Sequence, residues 1–138
     1  DRQLQTVVLD GLGHALVSHG PASWWYGYAL DSNSGTTTEW ETRLDVLDND
    51  DLATLATMPI DTWAQLRWAA SGKALFQVPG GLLVIDLTTP SAPRPQAWFA
   101  TAGWPGELVV AGRRIYVAAG LYGLYAFDLD GFNLLAPE

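Results

Sequence analysis

Three stretches decide the fold: Val7-Val8-Leu9-Asp10-Gly11-Leu12-Gly13-His14-Ala15-Leu16-Val17, Leu66-Arg67-Trp68-Ala69-Ala70-Ser71-Gly72-Lys73-Ala74-Leu75-Phe76 and Leu108-Val109-Val110-Ala111-Gly112-Arg113-Arg114-Ile115-Tyr116-Val117. Each is an apolar run, a Gly-containing turn with a basic residue or His, and a second apolar run, which reads as a β-hairpin. With Ala15, Ala74 and Ile115 aligned, the copies fall 59 and 41 positions apart, and the 18 extra positions of the first interval are an insertion. His14, Lys73 and Arg114 then occupy equivalent places, either as polar turn residues or as a ring of anion contacts.

A third strand ending near an aspartate follows each hairpin: Leu44–Asp48, Leu82–Asp86 and Leu124–Asp128. A fourth follows twice, over Leu52–Thr57 and Gln96–Thr101. Four short strands at a period near 40 is the spacing of a β-propeller blade, a small twisted sheet that hides its faces only against neighbouring blades. Helical solenoids have similar periods, but Gly, Pro and β-branched residues interrupt every candidate helix within about ten residues.

The segment Gly81-Leu82-Leu83-Val84-Ile85-Asp86-Leu87-Thr88-Thr89-Pro90-Ser91-Ala92-Pro93 resembles the repeat of the LVIVD-type β-propellers, whose third strand ends in Asp and runs into a Pro-x-x-Pro turn. Ile115–Ala118 with Gly123–Leu129 repeats the pattern without the proline pair, and Leu44–Asp48 repeats it with Asp45 intruding. The resemblance implies a fold more than an activity. It points to the C-terminal propeller of a secreted or cell-surface bacterial protein, with an extracellular, surface or periplasmic location. The expected units are a first blade over about 5–61 with an inserted hairpin at about 22–42, a second over about 63–102 and a third over about 104–138.

Composition agrees with an all-β chain. The 138 residues make one domain or part of one; 49% are hydrophobic and 16% charged, with 14 Gly, 8 Pro and 7 Trp, which suits short strands and many turns. Cysteine is absent, which excludes disulfides, thiolate nucleophiles and sulfur-ligated zinc. A formal charge of −8 is the wrong sign for gripping nucleic acid or an anionic membrane. No apolar run approaches the roughly 20 residues of a membrane-spanning helix. The chain opens on Asp1-Arg2-Gln3, so it reads as a mature product or a fragment.

Propellers close with about four to eight blades, whereas this chain holds about three. An open arc would leave two apolar sheet faces in water. The expected partner is therefore another polypeptide that completes the ring, most simply the N-terminal part of the same precursor, or else further copies of the chain.

The insertion carries the most unusual side chains: Trp24, Trp25, Tyr26 and Tyr28, then Trp40 after a turn at Asn33-Ser34-Gly35. As a strand, Trp24, Tyr26 and Tyr28 share one face. They would either pack between blades or present a surface for a glycan or protein partner. Asp48 and Asp50, and Asp128 and Asp130, offer oxygens of the kind Ca²⁺ accepts, although turn capping explains them as well and neither pair sits in a full calcium loop. No other cofactor is implied. His14 and His19 fall on opposite faces of a regular strand, which argues against a transition metal. Ser18, His19 and Asp31 are the chemical types of a hydrolytic triad without its geometry, and Glu39 and Glu41 read as edge charges. Trp63, Trp68, Trp98 and Trp104 read as packing aromatics.

The resulting expectation is a β-propeller segment of about three four-stranded blades, serving as a non-catalytic interaction or assembly module. The alternatives are a hydrolase or lyase whose metal or acidic site is shared with other blades, and a carbohydrate-binding module using the aromatic hairpin.

Overall fold

A computed structural model describes residues 3–21, 42–102 and 105–131. Eleven strands are described: β1 Gln3–Leu9, β2 His14–Pro21, β3 Thr42–Asp48, β4 Thr54–Ile60, β5 Gln65–Ala70, β6 Lys73–Val78, β7 Gly81–Asp86, β8 Arg94–Ala100, β9 Leu108–Ala111, β10 Arg114–Ala118 and β11 Leu124–Asp128. Every paired neighbour is antiparallel and consecutive in sequence, giving three meanders: sheet I (β1–β4), sheet II (β5–β8) and sheet III (β9–β11). A single 3₁₀ turn, Gly120–Tyr122, links β10 to β11. The chain is all-β, and its described sheets form a row, not a closed barrel.

Alternation explains the row. In sheet II, Ala74, Phe76, Val78, Leu83 and Ile85 belong to one buried cluster, completed by Leu16, Leu44 and Val46 of sheet I. The intervening Leu75, Leu82 and Val84 belong to a second, completed by Ile115 and Val117 of sheet III. Successive side chains of a strand point to opposite faces, so a sheet apolar at both parities must be covered twice. We call the face turned toward the preceding sheet the front and the other the back. In the II–III core, Phe99 stacks on Phe127 with centroids 4.7 Å apart.

Among the described residues three β-bulges adjust this alternation. One between Leu66 and Trp68 sends Leu66 into the first cluster and Trp68 against the second. Those at Val46/Leu47 and Val84/Ile85 leave Leu55 and Gln96 as the extra residues at the same place in sheets I and II. The fourth strands accordingly differ from the sequence expectation. In sheet I a loop closed by Leu52 N–H to Asp48 O (2.8 Å), with Leu52 at φ +62°, delays β4 to Thr54. In sheet II, β8 begins at Arg94, ahead of the expected Gln96. Trp63 is buried, Trp98 packs against the first cluster, and Trp104 lies outside the described residues. The insertion expected at 22–42 also lies outside them, apart from Thr42, which opens β3.

Gly81 begins β7 where a side chain has no room, since a Cβ there would stand 2.1 Å from the Phe99 carbonyl oxygen. Phe76→Ala, emptying the I–II core, is expected to cost about 3–5 kcal/mol in urea unfolding. Leu121→Ala on the exposed 3₁₀ turn is expected to stay within about 0.5 kcal/mol.

Candidate functional site

The turns at one end of the sheets repeat a single hydrogen-bond pattern. The third strand of each sheet ends in an aspartate whose Oδ1 accepts the backbone N–H two residues on: Asp50 N–H to Asp48 (2.8 Å), Thr88 N–H to Asp86 (2.9 Å) and Asp130 N–H to Asp128 (2.9 Å). The residue between them donates back to the hairpin turn, from Asn49 to Gly13, Leu87 to Gly72 and Leu129 to Arg113. His14, Lys73 and Arg114 pair across the ladder with Asp48, Asp86 and Asp128. The repeated basic position is thus a register position at the start of the second strand.

This geometry bears on the calcium candidates. Asp48 and Asp50 lie at the end of the third strand of sheet I, Asp128 and Asp130 at the end of the third strand of sheet III, with sheet II between them. Asp48 and Asp128 each spend an oxygen on their turn, and both oxygens of Asp130 bond the Arg113 guanidinium. That guanidinium, aided by Lys73, holds the Asp130 carboxyl below its usual range. Among the described residues no three His, Cys, Asp or Glu side chains group as metal ligands. The aromatic candidates Trp24, Trp25, Tyr26, Tyr28 and Trp40 lie outside the described residues, as do Asp31, Glu39 and Glu41. Ser18 is buried and pairs with Leu44 of the I–II core, while adjacent His19 faces the other way.

Two polar constellations were not legible as such in the sequence. At the first hairpin, buried Asp10 accepts from Leu12 N–H (2.7 Å), His14 N–H (3.0 Å) and His14 Nδ1 (2.8 Å). Burial pushes the Asp10 carboxyl up, but the bonds from Leu12 and His14 outweigh it and leave the group below its ordinary value. The short spacing Asp10-x-x-x-His14 across a Gly turn was the available signal. On the front face of sheet I, His19 Nε2 meets Asp45 Oδ2 (3.0 Å), Thr57 donates to Asp45 Oδ1 (2.9 Å), Arg43 lies 3.3 Å from Asp45, and Gln5 Nε2 reaches His19 Nδ1 (3.1 Å). Aligned sheet II residues are apolar or aromatic: Val78, Leu83 and Trp98 stand where sheet I has His19, Asp45 and Thr57.

Beside that network Val7 and Leu9 are exposed on the same face, and the opposite end of the row has no such network. On the back face of sheet III, Val109 and Leu124 are 57% and 70% exposed, beside half-buried Tyr116 and exposed Ala126. By register these match Trp68, Leu82, Leu75 and Val84 of sheet II, which face the II–III core. A scan against protein-family models and a search of curated proteins find no match to this chain. Among the described residues no helix is long and apolar enough to cross a membrane.

A carboxyl whose native pKa lies below its unfolded value contributes stability above the unfolded value and loses it as pH falls through the native one. Asp10 and Asp86 are both in this class, Asp86 chiefly through the Thr88 hydroxyl and N–H. The melting temperature is therefore expected to fall as pH drops from 5 toward 3, and Asp10→Asn to flatten part of that fall while lowering the value at pH 7.

Proposed function

We propose that this chain is a β-propeller segment acting as a non-catalytic interaction and assembly module, and that its open back face receives a further antiparallel sheet with an apolar front. The observation that carries this reading is the unpaired face of sheet III. The same register positions in sheets I and II are each covered by the next sheet of the chain, so Val109, Tyr116, Leu124 and Ala126 continue an interface used twice already. An exposed apolar surface of this kind marks an interaction site more often than a free monomer surface. Its mechanism is complementarity: rigid sheet packing fixes the face, and burial of apolar area supplies the attraction.

The covering sheet belongs to another polypeptide, either the remainder of a longer precursor or a second copy. The resemblance to LVIVD-type repeats supports a secreted or cell-surface setting.

Light scattering over a concentration series tests the reading. The chain is expected to associate with itself or with a co-expressed N-terminal segment, and Val109→Asp with Leu124→Asp to abolish association while changing the melting temperature by no more than about 3 °C, since both side chains are already in water. A monodisperse monomer at all concentrations, indifferent to both substitutions and to the added segment, contradicts it.

A further inference from the structure

The two sheet junctions differ at the turn end. At the II–III junction, Lys73 Nζ donates to Gln96 Oε1 (2.6 Å) and stands 3.8 Å from Asp130, which Arg113 also holds. Buried Gln96 donates from Nε2 to the carbonyls of Leu129 and Gly131, 3.0 Å each. An amide and ion pairs close that rim. The aligned residues at the I–II junction are His14, Leu55, Thr88 and Gly72, and none of them spans it. Leu55 is apolar and 37% exposed, the Thr88 hydroxyl donates to Asp86 within its own turn (2.6 Å), and His14 Nδ1 is held by Asp10. In place of the closure is a cleft of about 530 Å³ whose lining includes Asp10, Leu12, His14, Ser71, Leu87 and Pro90.

An ionised carboxylate only accepts, so Asp10 fixes the proton of a neutral His14 ring on Nδ1 and leaves Nε2 as an acceptor. Among the described residues Nε2 has no partner, and neither has the Ser71 hydroxyl. The volume falls within the range of small-molecule pockets, and the wall combines apolar side chains with a His14 ring held in place by Asp10.

We propose that this cleft binds a small neutral polyhydroxylated molecule of about monosaccharide size. One ligand hydroxyl donates to His14 Nε2, another meets Ser71, and the C–H surface rests on Leu12, Leu87 and Pro90. Neutrality follows from the charges: the chain carries −8 overall and the Asp10 carboxylate is itself part of the cleft wall, which disfavours an anion. A cation would have to displace the three hydrogen bonds that Asp10 already accepts. The site is built from sheets I and II alone and is independent of whether a further sheet covers sheet III.

The test is an NMR titration of the ¹⁵N-labelled chain with glucose, galactose and mannitol, and with acetate and phosphate as anionic controls. The expected result is a saturable shift of the His14 ring nitrogens and of amides near 11–14, 71–72 and 87–90 with at least one polyol and with neither anion. Leu55→Gln with Thr88→Asp installs the Gln and Asp of the II–III junction and is expected to weaken binding at least ~10-fold, the size of one hydrogen-bonded contact. His14→Phe is expected to do the same; both variants are expected to melt at lower temperature, through the lost bonds to Asp10 and Asp86, and to remain folded under the titration conditions. No saturable polyol shift at ~100 mM, a response to phosphate or acetate instead, or undiminished affinity in the junction variant overturns the proposal; ligand affinities in this range correspond to only about 1–3 kcal/mol.

Discussion

A small antiparallel sheet with apolar residues at both parities is stable only when both faces are covered, and this requirement organises the molecule. Sheet II meets it inside the chain. Phe76 and Leu75, adjacent on β6, are both fully buried because one faces sheet I and the other sheet III. Neither neighbour is served equally well: the described part of sheet III has a packed front and an open back, and sheet I has a packed back. Each sheet thus depends on the next for its core, as in repeat architectures where single units cannot bury their own faces.

The two outer faces have answered this demand in different ways. Sheet I substitutes a hydrogen-bonded network around Asp45 for the aliphatic residues of sheet II, so the polar groups there satisfy one another. Sheet III keeps aliphatic residues and leaves them in water. Val7 and Leu9 on the front of sheet I are exposed as well, so both ends of the row present apolar side chains, with the polar network confined to one of them.

Much of this was readable from residue order. The three hairpins, the aspartate ending each third strand and the alternation of β6 and β7 place eleven strands in three sheets with few boundary errors. The bulges were not readable, because an extra residue such as Leu55 or Gln96 is defined by its partner strand and not by its own neighbours. For the same reason Leu66 and Trp68, two apart in sequence, lie on opposite faces. The site was less legible. Of the aspartates singled out as calcium ligands, Asp48 and Asp128 each cap a turn, which the Asp-x-Asp spacing suits equally well, and Asp130 pairs with Arg113. The alignment of His14 with Lys73 and Arg114 was visible, but the contrast that opens one rim and closes the other depends on Gln96 reaching the turn of the following sheet, a contact 33 residues distant.

Native-state hydrogen exchange tests the central claim most directly, because it ranks the strands by how completely both faces are held. The account predicts the slowest amide exchange in β6 and β7 of sheet II, faster exchange in the central strands of sheet I, and the fastest among the strands in β9 and β11. Exchange as slow in sheet III as in sheet II, or a most protected core lying in sheet I, would contradict it.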